Sequence, residues 1–148
     1  MRHLRTRCVL VLASFAVLVG SFAACQGDSM GDRFARSLYQ ATANGHAIQL
    51  NTLASVDFDR VMVFRDYWRG SDINRQVGMR VVDDGDHVDE NQCMWIFFRD
   101  GRPTLNVVTS YTSILADLPP YSSWNNDVWL RPVGDGDDRM TLSASSSP

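Results

Sequence analysis

Lysine is absent from this sequence: all fourteen basic side chains are arginine. The bias reads as the codon usage of a GC-rich genome rather than as chemistry. A long apolar run is also missing. Cys8 to Phe22 carries no charge, but these fifteen residues fall short of the roughly 20 that a comfortable membrane helix needs. Histidine is scarce, and beyond residue 25 only His46 and His87 remain, neither within a recognisable catalytic motif. No internal repeat is present, and no linker is long enough to divide the chain into two domains.

Three arginines and no acid precede the uncharged run, in Met1-Arg2-His3-Leu4-Arg5-Thr6-Arg7. A positive start followed by a short apolar stretch fits the leader of an exported protein. The stretch ends in Phe22-Ala23-Ala24-Cys25, which resembles the bacterial lipobox, with Phe22 at the place usually held by Leu. There the thiol is diacylated and the chain is cut just before the cysteine. The resemblance implies that residues 1–24 form a signal peptide and that Cys25 carries a lipid. It also implies residence in the bacterial cell envelope, facing the periplasm or the exterior. In a two-membraned cell, Gln26 after the cysteine resembles the pattern sent to the outer membrane. Two or more acyl chains hold a protein firmly where one holds it only marginally.

The anchor changes the count of what remains. Cys8 leaves with the leader and Cys25 is acylated, so Cys93 is the last thiol and no intramolecular disulfide can form. An oxidising export route therefore meets a domain that must be stable through packing alone. The leader also removes Arg2, Arg5 and Arg7, leaving eleven basic residues against seventeen acidic ones, a net charge of −6. Such a domain repels phosphate backbones, so nucleic acid is not an expected partner. It is also repelled by anionic headgroups, so the lipid must do the anchoring. A basic envelope protein or a cation remains electrostatically compatible.

Residues 25–29 are a short tether that keeps the domain close to the bilayer. Ser29 and Asp32 predict a capped helix over 30–43, with Phe34, Leu38 and Ala41 at helical spacing and Asn44-Gly45 as its stop. His46 to Leu53 alternates and predicts a strand. Arg60 to Arg65 is apolar on both faces, as in a central strand. Ser71 to Gly78 predicts a short capped helix. Cys93 to Arg99 is the strongest strand signal. Asp100-Gly101 is the dipeptide a two-residue hairpin prefers, returning through Thr104 to Thr109. A brief helical turn is expected over 114–118. A last hairpin is expected from Asp127–Arg131 to Arg139–Leu142, and a disordered tail over 144–148. The fold class is thus α+β, one globular domain over residues 30–143, with the N-terminal helix on a mainly antiparallel sheet built from hairpins.

A further resemblance is carried by Ile48-x-Leu50 followed by Asp57-Phe58-Asp59-Arg60-Val61-Met62-Val63-Phe64 and Tyr67. It looks like a segment of small bacterial lipoproteins of unknown function, in which an aromatic-Asp pair opens a strand ending in Phe, with Tyr three residues on. Phe58-Asp59 fills the aromatic-Asp place, where Trp is commoner. The resemblance spans about 20 residues and the leader, and implies no activity.

Several groups could carry chemistry. Asp83, Asp84, Asp86, Asp89 and Glu90 crowd into eight positions, and Asp84, Asp86, Asp89 and Glu90 are the candidate Ca²⁺ ligands. However, the glycine and closing glutamate of an EF-hand are not in place, so a solvated loop between strands is expected. Asp135, Asp137 and Asp138 form a second acidic turn. Cys93 lies in phase with Trp95 and Phe97 on an apolar strand, which marks a buried structural thiol rather than a nucleophile. Asp57 and Asp59 flank Phe58 at a strand mouth; paired carboxylates can work as acid and base, but at a strand entry they read as turn residues, and Asp59 could also pair structurally with Arg60 or Arg65. Tyr67-Trp68 and Tyr121 to Trp124 lie in loops rich in Ser, Asn and Gly. Tyr67, Trp68, Tyr121 and Trp124 are the candidate binding surface, because each ring joins apolar area to a polar tip.

No cofactor motif and no catalytic constellation stand out. The sequence predicts a lipid-anchored envelope protein that is not an enzyme, acting as a binding or accessory module. The second reading is a small inhibitor or immunity-type lipoprotein that meets a basic envelope-active protein through its acidic loops.

Overall fold

The computed structural model describes residues 29–110, 115, 118–134 and 139–144. The leader, Cys25, the tether up to residue 28, the acidic turn 135–138 and residues 145–148 lie outside them, as does most of the expected helical turn 114–118.

Helix α1 spans Met30–Asn44 and opens with a capping box. The Asp32 N–H donates to Ser29 Oγ at 3.1 Å, while Ser29 N and Oγ donate to the Asp32 carboxylate at 3.2 and 2.7 Å. Those two donors, the hydroxyl first, hold the Asp32 pKa below its ordinary value. The helix ends at Gly45 with φ of 62°.

Strand β1 is only Ile48–Gln49, and Leu50–Ala54 forms the short helix α2. The expected strand over 46–53 is therefore corrected. Leu50, Leu53 and Ala54 are spaced i, i+3, i+4, and all three are buried on one helical face. Strand β2 is Arg60–Arg65 and helix α3 is Gly70–Val77. Strands β3 (Gln92–Arg99) and β4 (Arg102–Ser110) are joined by Asp100 and Gly101, with φ of 51° and 73°. Strand β5 is Tyr121–Asn125, a segment expected as loop. Strands β6 (Trp129–Pro132) and β7 (Met140–Ser143) pair antiparallel as the last hairpin.

The protein is α+β, with two antiparallel sheets rather than one. Four strands lie in the order β4-β3-β2-β5, and three in the order β1-β6-β7. The central strands of the larger sheet, β2 and β3, are buried on both faces, which is why they read as continuous apolar runs. On one face Phe34 of α1 meets Trp95 and Phe97 edge-on, with centroids 5.3 and 5.1 Å away. Val61, Val63, Leu38, Leu130 and Met140 are among the residues that join that core. On the other face Met62, Phe64, Met94, Ile96 and Phe98 pack against Ile73 of α3 and Val88. No helix among the described residues is long and apolar enough to cross a membrane.

Candidate binding surface

The sheet brings together part of the predicted aromatic surface. The register of β2 and β5 sets Phe64 opposite Tyr121, and Trp68 folds back over both. The Phe64 ring lies 5.1 Å from Trp68 and 5.2 Å from Tyr121, and Trp68 and Tyr121 are 6.3 Å apart. Both rings are half-buried. Trp124 lies three residues along β5, faces the opposite core, and donates from Nε1 to Ser122 Oγ at 3.0 Å. The four residues therefore do not share one surface.

Tyr67 is the exposed member, at 72%. It is presented by an unusual backbone: Asp66 and Tyr67 are consecutive left-handed residues, with φ of 44° and 59°. Such conformations cost of order 1–3 kcal/mol each and persist only where their surroundings hold them. Here the Asp66 N–H donates to Gln92 O at 3.1 Å and the Tyr67 N–H to Val88 O at 2.7 Å. The Asp66 carboxylate accepts the Asn91 N–H at 2.8 Å and meets Arg65 Nε at 3.1 Å. The Tyr67 phenol titrates above its ordinary value, first through lost hydration and then through the nearby Glu90 carboxylate.

The acidic segment lies between α3 and β3, not between two strands, and it is tied down. Asn74 Nδ2 donates to Val82 O at 2.9 Å and to Asp84 Oδ1 at 2.8 Å, while Asn74 Oδ1 accepts from Val81 N and Val82 N. The Gly70 N–H donates to Asp86 O at 2.7 Å. The acids themselves are spread among different partners. Asp83 pairs with Arg80 at 2.7 Å, Asp86 Oδ2 accepts the Asp83 N–H at 3.1 Å, and Asp89 meets His87 at 3.0 Å. Among the described residues no three His, Cys, Asp or Glu side chains converge as a metal site.

Beside this segment a groove of about 560 Å³ opens over Met94, Asn106 and Val108, with Arg80, Val81, Asp83 and Asp86 on its rim. Sequence reasoning missed it. Its signal was the alternation along β4, where Val108 stands 46% exposed between buried Val107 and Thr109.

The other candidates have structural work. Asp57 accepts from Arg99 Nη1 at 2.6 Å, and Asp59 accepts the Asp100 N–H at 2.6 Å, fastening the β3–β4 hairpin to the mouth of β2. Asp59 thus serves the hairpin backbone rather than the Arg60 or Arg65 side chain it could also have met. Cys93 is buried, with Sγ 3.2 Å from Thr109 Oγ1, which also accepts from Trp95 Nε1 at 2.8 Å. Burial pushes the Cys93 thiol up to about 11 from 9.0. The folded protein thus keeps this proton where the unfolded chain would lose it. The stability it contributes is complete below about pH 9 and is lost as pH rises through about 11. Iodoacetamide at pH 7.5 should therefore leave Cys93 unmodified in folded protein and modify it within minutes in urea. Fast labelling of the native state would contradict a buried thiol.

No family model, no curated protein and no solved structure matches this chain.

Proposed function

We propose that this chain is a lipid-anchored protein of the bacterial cell envelope, with a non-catalytic domain that binds a partner beside the membrane. The observation that carries this reading is the arginine-bearing start followed by an uncharged run that ends in Phe22-Ala23-Ala24-Cys25. Two features of the domain support a binding role. The thiol of Cys93 is turned into the core with its ionised form disfavoured. Strained backbone holds Tyr67 out in solvent next to the Trp68–Tyr121 pair. The acidic segment over 83–90, fixed by Asn74 and Gly70, favours a basic protein as that partner.

Fractionation tests the reading. The full chain should pellet with membranes, resist extraction by high salt and enter detergent. Cys25→Ser should move most of the protein out of the membrane fraction, or leave it uncleaved with its leader attached. A cleaved Cys25→Ser protein that still pellets and still resists salt would remove the lipid from the account.

A further inference from the structure

Helix α1 is the first element after Cys25, and its outer face differs in character from the rest of the domain. Met30, Arg33, Arg36 and Tyr39 recur at every third residue, and all four side chains are exposed. On a helix this spacing makes one continuous ridge. The ridge crosses the side turned away from Phe34, Leu38 and Ala41, which are buried against the sheet. Met30 and Tyr39 are two of the six large apolar side chains exposed among the described residues.

The ridge holds two arginines and no acid. The one acid of α1, Asp32, is turned back over the helix start, where it accepts from Ser29 N and Oγ and lies in the field of Arg36. The helix thus carries +1, from Arg33 and Arg36 against Asp32, and is neutral with Asp28 of the tether counted. The net charge of −6 therefore comes from the rest of the domain. The acidic segment over 83–90 lies on the far side of the large sheet. Its Val88 packs on one face of that sheet and Phe34 of α1 on the other. Packed layers stand about 10 Å apart, so two such steps separate that segment from α1. Salt screens charges beyond about 8 Å.

We propose that the outer face of α1 lies on the phospholipid headgroups of the membrane that holds the chain, with Arg33 and Arg36 on lipid phosphates and Met30 and Tyr39 at headgroup level. This rests on the reading of Cys25 as the lipidated residue. The tether selects the face. Only Gln26, Gly27 and Asp28 separate Cys25 from the cap residue Ser29. Four fully extended steps span at most about 14 Å, which holds the start of α1 beside the bilayer. Arginine and tyrosine suit that boundary, since each sets an apolar stem toward lipid and a polar tip in water. The lipid supplies the attachment and α1 sets the orientation. The acidic segment is then turned away from the membrane, toward a basic partner.

Fluorescence quenching in vesicles tests this orientation. The full chain, matured in its native envelope and purified in detergent, is labelled at Gln40→Cys, one turn beyond Arg36, or at Gly85→Cys in the acidic segment. Cys93 is buried and stays unlabelled. Each protein is placed in phosphatidylcholine vesicles carrying a nitroxide on the headgroup, with or without phosphatidylglycerol. The label at 40 should be quenched strongly and the label at 85 hardly at all. Phosphatidylglycerol should favour the docked state about fivefold for each arginine, and Arg33→Glu with Arg36→Glu should abolish that gain. Flotation with the vesicles reads the anchor separately. A chain that floats but is quenched equally at 40 and 85, or that ignores the arginine substitutions, overturns the orientation and leaves the anchor standing. A chain that fails to float overturns the anchor, and this orientation with it.

Discussion

Gly70→Ala should lower stability by about 3 kcal/mol, the upper range for forcing a methyl into a packed site. The position is the first of α3, where alanine would ordinarily help a helix. Here the backbone of the acidic segment lies directly on the glycine. An added Cβ would come within 1.9 Å of Asp83 O and 3.0 Å of Asp83 C. These are backbone atoms, so no side-chain rotation relieves the clash, and the segment over 79–88 must lift away from α3. Lifting it breaks the Gly70 N–H bond to Asp86 O and pulls against the Asn74 clasp. For a domain of this size, the melting temperature should fall by about 10 °C. Amide exchange should quicken first at Val82, Asp86 and Val88. Gly85→Ala is the control, because nothing lies within 4 Å of its added Cβ. It should melt within a degree or two of the parent. If Gly70→Ala melts there as well, the segment does not pack on α3 through Gly70.

Phe34→Ala should cost about 4 kcal/mol, within the usual range for removing a buried phenyl ring. Phe34 is fully buried and is the ring through which α1 grips the sheet, edge-on to Trp95 and Phe97 at interplanar angles of 72° and 80°. Those two residues lie on β3, between β2 and β4, so the cavity opens at the middle of the sheet and is not easily filled by neighbours. Tyr39 sits on the same helix but is 43% exposed, and Tyr39→Ala should change stability by less than about 0.5 kcal/mol. Urea unfolding of the two variants separates the faces of α1. Equal midpoints would mean that the helix is not anchored by Phe34.

The elements legible in the sequence were those whose signals are local. The capping box of Ser29 and Asp32 and the stripe of Phe34, Leu38 and Ala41 marked α1 directly. Arg60–Arg65 read as a central strand because both of its faces are apolar, and it does lie between β3 and β5. Asp100-Gly101 marked the hairpin because both positions need positive φ.

The illegible elements owe their form to distant partners. Tyr121–Asn125 has the composition of a loop, and it is a strand because β2 offers it a ladder, Val63 to Ser122 and Val61 to Trp124. That pairing also decides the aromatic site. It brings Tyr121 to Trp68 across more than fifty residues of chain and turns Trp124 away, which no reading of the two segments in isolation could foresee. Ile48 and Leu50 alternate as on one face of a strand, although the spacing of Leu50 to Leu53 and Ala54 fits a helix equally well. The pairing of β1 with β6, Ile48 to Leu130 and Gln49 to Trp129, stops after two residues and leaves the rest to coil. Asn74, which fastens the acidic segment, carries no local signal because its partners lie seven to ten residues away.

The mass of the N-terminal peptide, taken from protein purified out of the envelope, decides whether a lipid holds this chain on the membrane. That peptide should begin at Cys25 and carry a diacylglyceryl group on sulfur. A peptide beginning at Met1, or one beginning near residue 25 with an unmodified thiol, would contradict it.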